Sequence, residues 1–161
     1  MATGATGSYD IGGNRILAAL PEAEQRRLQT YLEPVELSTG DLLYRPGGRI
    51  EAVWFPLMGV CSILAELDGP AVEVATVGDE GMVGLPVFLG VGSPTERVVC
   101  QVAGFGLRME ADRFRHEIAV LDGPLQQTMQ RSPSPCSPSW RATRGAIAAT
   151  APASGAPAGC S

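Results

Sequence analysis

The stretch Gly78-Asp79-Glu80-Gly81-Met82-Val83-Gly84-Leu85-Pro86 sets three glycines and two carboxylates around a short apolar run. Glycines let a backbone approach a bound group closely, and a helix opening behind them aims unpaired N–H groups outward, which is chemistry for holding a phosphate. The same glycines also suit a plain turn that needs no ligand. Other chemistry is scarce. His116 is the single histidine and lies on a polar helical stretch, where a solvated ring is expected. Cys61, Cys100, Cys136 and Cys160 lie far apart, with no pair at the two-residue spacing of zinc ribbons or redox motifs, so buried free thiols are expected. A cupin-like metal enzyme would need two or three histidines with a carboxylate, and neither a G-x-S-x-G elbow nor a Cys–His arrangement is present. The expectation is a protein that is not an enzyme, with no metal and no cofactor.

A chain of 161 residues that is 45% hydrophobic and 18% charged suits one domain with a real core. Its net charge is −5 and no cluster of basic residues stands out, so its summed field repels nucleic acid. No apolar run nears the roughly 18 residues of a membrane-crossing helix, and the opening residues lack the basic and apolar regions of a signal peptide, so a cytoplasmic protein without membrane contact is expected. The 12 basic residues are all arginine, which points to a GC-rich gene.

The elements that must position the glycine-rich stretch follow from periodicity. Residues 1–13 are rich in Gly, Ala, Thr and Ser and read as an unstructured terminus. Ile16, Leu17, Leu20, Leu28, Tyr31 and Leu32 recur near helical spacing, with Pro21 opening a second helix. From Pro34 to Met109 the pattern becomes short extended runs broken by glycine about every 8 to 12 residues, which predicts an antiparallel sandwich or barrel, a small β-roll. Helix returns after Met109, with a break at Asp122–Gly123 and a new start at Pro124.

This order, carrying Gly40 before a strand, the Pro46–Gly47–Gly48 turn, Trp54–Phe55, Gly59 and the block from Val77 to Leu89, resembles the sensor domain of the Crp/Fnr family of bacterial transcription regulators over residues 14–131. The resemblance implies an α+β fold: a double-stranded β-helix, jelly-roll-like, with short N-terminal helices and a C-terminal helix. It also implies a cassette that binds a cyclic nucleotide through a short helix N-terminus, a ribose-binding Glu, and an Arg followed by Ser or Thr on the phosphate. Gly81 and Gly84 match the cassette glycines, Val83 and Leu85 belong to the same degenerate cassette, and Arg97 falls where the phosphate arginine is expected. Met82 stands in place of the Glu and Val98 in place of the hydroxyl residue. A thioether accepts hydrogen bonds only weakly and valine neither donates nor accepts, so cyclic-nucleotide binding is expected to be weak or absent. Leu85, Val87, Phe88, Leu89 and Val91 are expected to collapse into the vacated pocket, and Arg97 has the alternative of a surface pair with Glu96 or Asp79.

In that family the helix after the roll forms the dimer and leads to a DNA-binding winged helix. Here residues 132–161 turn to Ser, Pro, Ala and Gly without an acidic residue. Read one base out of register from near codon 131, the Ser and Pro codons become an apolar helix followed by Cys-Asn-Arg, His and Ala-Arg-Trp-Leu, similar to the family's entry to its winged helix. The tail is therefore expected to be disordered and frameshifted in a truncated regulator, the alternative being a flexible linker. Leu125 and Met129 supply one turn of apolar face, so at most a weak homodimer is expected, with DNA contacted only by full-length relatives. A stand-alone module that pairs with intact homologues is the alternative function; the effector stays unnamed.

Overall fold

A computed structural model describes residues 9–66, 68–119 and 123–131. The expected frameshifted tail at 132–161, with Cys136 and Cys160, lies outside them. The chain is already ordered ahead of residue 14. Tyr9 meets the ring of Phe105 at 5.7 Å between centroids, Asp10 accepts from Gly12 N–H at 2.9 Å to cap a short turn over Ile11–Gly13, and Ile11 is buried. Composition alone misses this because two large apolar side chains among small residues suffice to anchor the stretch.

Helix α1 (Arg15–Ala18) and helix α2 (Glu22–Gln29) follow. Helix α2 carries Glu22 and Glu24 in its first turn and Arg26 and Arg27 in its last, which complements the helix dipole. Gln25 Nε2 donates to Leu20 O at 2.9 Å and so ties the second helix to the end of the first.

The strands are β1 (Glu33–Leu37), β2 (Leu42–Tyr44), β3 (Ala52–Ala65), β4 (Val72–Val77) and β5 (Glu96–Glu110), all paired antiparallel. Strand β5 lies between β3 and the shorter pair β1 and β2, and β4 covers only the second half of β3. The α+β roll expected from sequence is thus present. Its strands are longer than expected, because the glycines at 59 and 104 do not end them. A Cβ on Gly59, at φ +93°, would stand 2.5 Å from Val102 O, and one on Gly104 would stand 2.2 Å from Met58 O. Bulges there press the two long backbones together and bend the sheet without interrupting it.

Helix α4 (Ala111–Ala119) leaves β5 directly and buries Ala111, Phe114 and Glu117 on one face. Phe114 packs on Phe55 of β3 at 6.3 Å between centroids. Helix α5 (Pro124–Arg131) buries Leu125 and Met129 in the same core, so the face expected to begin a dimer helix is covered within the chain. Glu117, its side chain without solvent exposure, lies 2.6 Å from Arg27 Nη1 and 2.8 Å from Arg113 Nη2, and the Arg113 guanidinium rests 3.5 Å over the ring of Tyr31. A buried carboxylate therefore fastens α4 to the N-terminal helices. Removing both its partners with Arg27→Ala and Arg113→Ala leaves a buried uncompensated charge and is expected to cost about 3 to 5 kcal/mol by urea unfolding, most of it regained when Glu117→Leu is added. A loss within about 0.5 kcal/mol, the size of a surface pair, would contradict this.

Candidate functional site

Asn14 joins the glycine-rich cassette to the first helix and to the sheet. It is fully buried and extended in backbone, which suits an N-cap, and its Oδ1 accepts from Ile16 N–H at 3.1 Å and Leu17 N–H at 3.4 Å. Its Nδ2 donates at 2.9 Å to Pro56 O on β3 and at 2.9 Å to Gly81 O in the cassette. All four side-chain bonding positions of one amide are used to join the first helix, the sheet and the cassette. The signal in the sequence was the ordinary helix-start pattern, an Asn before an apolar run; its two long-range bonds leave no trace there.

The cassette leaves β4 at Val77 through a tight turn in which Gly81 N–H donates to Gly78 O at 3.2 Å. Glu80 folds onto its own backbone, accepting from Gly78 N–H at 3.0 Å, and Asp79 pairs with Arg15 at 3.7 Å. Val83 then bridges Trp54 of β3 with reciprocal bonds of 2.8 and 2.9 Å. Two residues along the same edge, Pro56 points its missing N–H to the side where β4 does not reach, which is where a strand tolerates proline. Gly84 stands at φ +109° with Val53 Cγ1 2.8 Å from where a Cβ would be, so only glycine turns the chain this close to β3. Helix α3 (Leu85–Phe88) follows as a single turn.

As an anion cradle this turn is poor. Pro86 has no N–H, and Val87 N–H already donates to Gly84 O at 2.9 Å, so two of the first three amides are withdrawn. Met82, Val83, Leu85 and Val87 are buried, as the collapse of the cassette requires; Phe88 is half-buried, whereas Leu89 and Val91 stand exposed at 47% and 43% instead of filling the interior. Leu89 is the C-terminal cap of the helix and Val91 follows the left-handed Gly90, where the chain turns away from the helix.

The return strand alternates. Glu96, Val98 and Cys100 are buried on one face of β5, with Arg97 and Val99 only half-buried on the other. Arg97 lies 3.4 Å from Glu66 at the end of β3, so its ion pair is made with neither Glu96 nor Asp79. Cross-strand register explains the difference: Arg97 stands opposite Leu64, two residues from Glu66. Val98 is fully buried where a hydroxyl was looked for. Glu96 is buried rather than at the surface and accepts from Thr95 Oγ1 at 2.8 Å; burial, with the charge of Glu96 adding to it, raises the Tyr44 phenol far above its ordinary range. A carboxylate on the interior face next to Val98 opposes any anion brought to that wall. His116 is exposed, and Cys61 and Cys100 are buried and unpaired, as expected. Among the described residues no three His, Cys, Asp or Glu side chains gather to hold a metal, and no helix is long and apolar enough to cross a membrane.

No protein-family model matches the sequence, and no curated protein does. Solved structures do. The regulatory subunit of a cAMP-independent protein kinase A from Trypanosoma cruzi, bound to guanosine, superposes with a TM-score of 0.70 at 17% identity over 88% of this chain and 49% of that one. A mutant of the Trypanosoma brucei subunit with cAMP in its A site gives 0.68 at 22% identity over 85% and 48%. The N-terminal domain of a transcriptional regulator from Streptomyces coelicolor gives 0.58 at 19% identity over 91% of this chain and 100% of that one. The chain spans about half the length of the two kinase subunits. It has the fold of the cyclic-nucleotide-binding β-roll.

Asn14→Asp keeps the acceptor that caps α1 but sets a carboxylate against the carbonyls of Pro56 and Gly81. It is expected to lower stability by about 3 kcal/mol at neutral pH in urea unfolding, with Asn14→Ala losing a similar amount. An unchanged midpoint for Asn14→Asp would remove Asn14 from its joining role.

Proposed function

We propose that this chain is the sensing body of a Crp/Fnr-type transcription regulator whose cassette has become a packed structural element that no longer takes a cyclic nucleotide. The observation that carries this reading is the pair Met82 and Val98, buried at 7% and 0% exposure in the two places where the resemblance expects the sugar-binding carboxylate and the phosphate-binding hydroxyl. A polar site discriminates by leaving its own groups unpaired when the ligand is absent. Here those groups are apolar and already satisfied by packing. Arg97 stands 3.4 Å from Glu66 in a solvent-accessible ion pair, Pro86 removes a donor from the helix start, and Glu96 adds negative charge to the interior wall.

The regulator half of the reading is supported by the Streptomyces coelicolor domain, which this chain covers from end to end. The guanosine held by the Trypanosoma cruzi subunit supports the idea that rolls of this shape serve effectors other than cyclic nucleotides. The chain acts by transmitting a state of the roll, without catalysis or cofactor. With a net charge of −5 it has no electrostatic footprint for DNA, and in a Crp/Fnr regulator that contact belongs to a separate winged helix. Self-association, with Leu125 and Met129 already in the core, is weak.

Titration calorimetry tests the reading. Cyclic AMP and cyclic GMP are expected to give no saturable heat up to about 1 mM, the range where binding is worth only about 4 kcal/mol. Low-micromolar binding at one nucleotide per chain would overturn it.

A further inference from the structure

Cys61 on β3 stands directly opposite Cys100 on β5. The backbone of Cys100 is turned away from β3: its N–H donates to Asp41 O at 2.8 Å, and its C=O accepts from Gly40 N–H at 2.8 Å. In an antiparallel ladder, a residue whose two backbone groups both bond outward meets its inner partner across a narrow, non-hydrogen-bonded pair. There the Cα atoms are about 4.5 Å apart and the side chains stand close on one face. That spacing falls within the roughly 4.4 to 6.8 Å that a disulfide requires. Both thiols are buried in the core and neither is bonded to another cysteine. Far apart along the chain, they are brought together only by the register of the two long strands.

We propose that Cys61 and Cys100 form a dithiol that closes to an intrachain disulfide when the protein meets a small disulfide oxidant of the glutathione class. The thiolate of Cys100 attacks one sulfur of oxidised glutathione, and one glutathione leaves as its thiolate. The thiolate of Cys61 then attacks the Cys100 sulfur of the mixed disulfide and expels the second glutathione. The two protons given up by the cysteines end on the two glutathiones, so one disulfide forms as the other is reduced. This reaction does not depend on the ligand-free reading of the cassette.

The setting makes the switch slow and consequential. Burial pushes the Cys61 thiol up to about 12, with the neighbouring Cys100 adding to it, and burial followed by the charge of Asp41 raises Cys100 as well. Both thiols stay protonated in the closed sheet, so exchange waits on local opening of the strands. Cys61 also pairs with Val77, the residue from which the cassette departs. A bond between β3 and β5 at this level therefore clamps the root of the cassette.

The test uses the full chain carrying Cys136→Ser and Cys160→Ser, so that only the two core thiols remain. One sample is equilibrated folded in oxidised glutathione; a second is unfolded in urea and refolded into the same solution, so that burial does not block access. After acid quench and alkylation in denaturant, the expected product has lost two hydrogens, carries no alkyl group, yields a linked Cys61–Cys100 peptide, and melts at a higher temperature until dithiothreitol reverses it. Two alkylated thiols, two glutathione adducts, or links between chains in the refolded sample would overturn the proposal. So would an equal rise in melting temperature when Cys100→Ser is added, since no intrachain bond can then form.

Discussion

One amide side chain joins the three parts of this molecule. Asn14 caps the first helix with its oxygen and, with its nitrogen, holds the carbonyls of Pro56 and Gly81 at 2.9 Å each, in a place sealed from water. Both carbonyls belong to backbone that no neighbouring strand satisfies at these points: Pro56 lies on the half of β3 that β4 does not reach, and Gly81 lies in a turn. Carbonyls shielded from water must find donors, and the cap of the first helix supplies one to each from within the chain. Reciprocal bonds between Val83 and Trp54 and the tight approach of Gly84 to Val53 complete the attachment.

A second buried group fixes the other end. Glu117 on α4 meets Arg27 on α2 and Arg113 on its own helix, and the stacking of Arg113 on Tyr31 extends the contact. Exposed pairs such as Arg49 with Asp112 add little beside it, because water screens them. Between Asn14 and Glu117 the N-terminal helices are tied to both the cassette and the helix that leaves the roll. A change in the roll therefore has a continuous set of contacts through which to reach α4 and α5.

The glycine-rich turn, the helix starts and the antiparallel roll were legible in the residues because each rests on local rules: spacing, capping and alternation. What escaped was set by the opposite strand. Gly59 and Gly104 look like strand ends in isolation, yet facing each other they bend two continuous strands. Glu96 looks like a surface partner for Arg97 until alternation with Val98 and Cys100 places it inside. Glu117 reads as one more polar position on a polar helix, although it falls three residues after buried Phe114. The apolar character of Met82 and Val98, by contrast, was visible at once, since chemistry missing from a side chain needs no geometry to be noticed.

The central claim is that the cassette is held by the protein itself, without a nucleotide. Hydrogen exchange at the amides of Trp54, Val83 and Val87 measures this most directly. The account predicts strong protection in the free protein, unchanged by millimolar cyclic AMP. Free exchange at these amides that becomes protected only when cyclic AMP is added would contradict it.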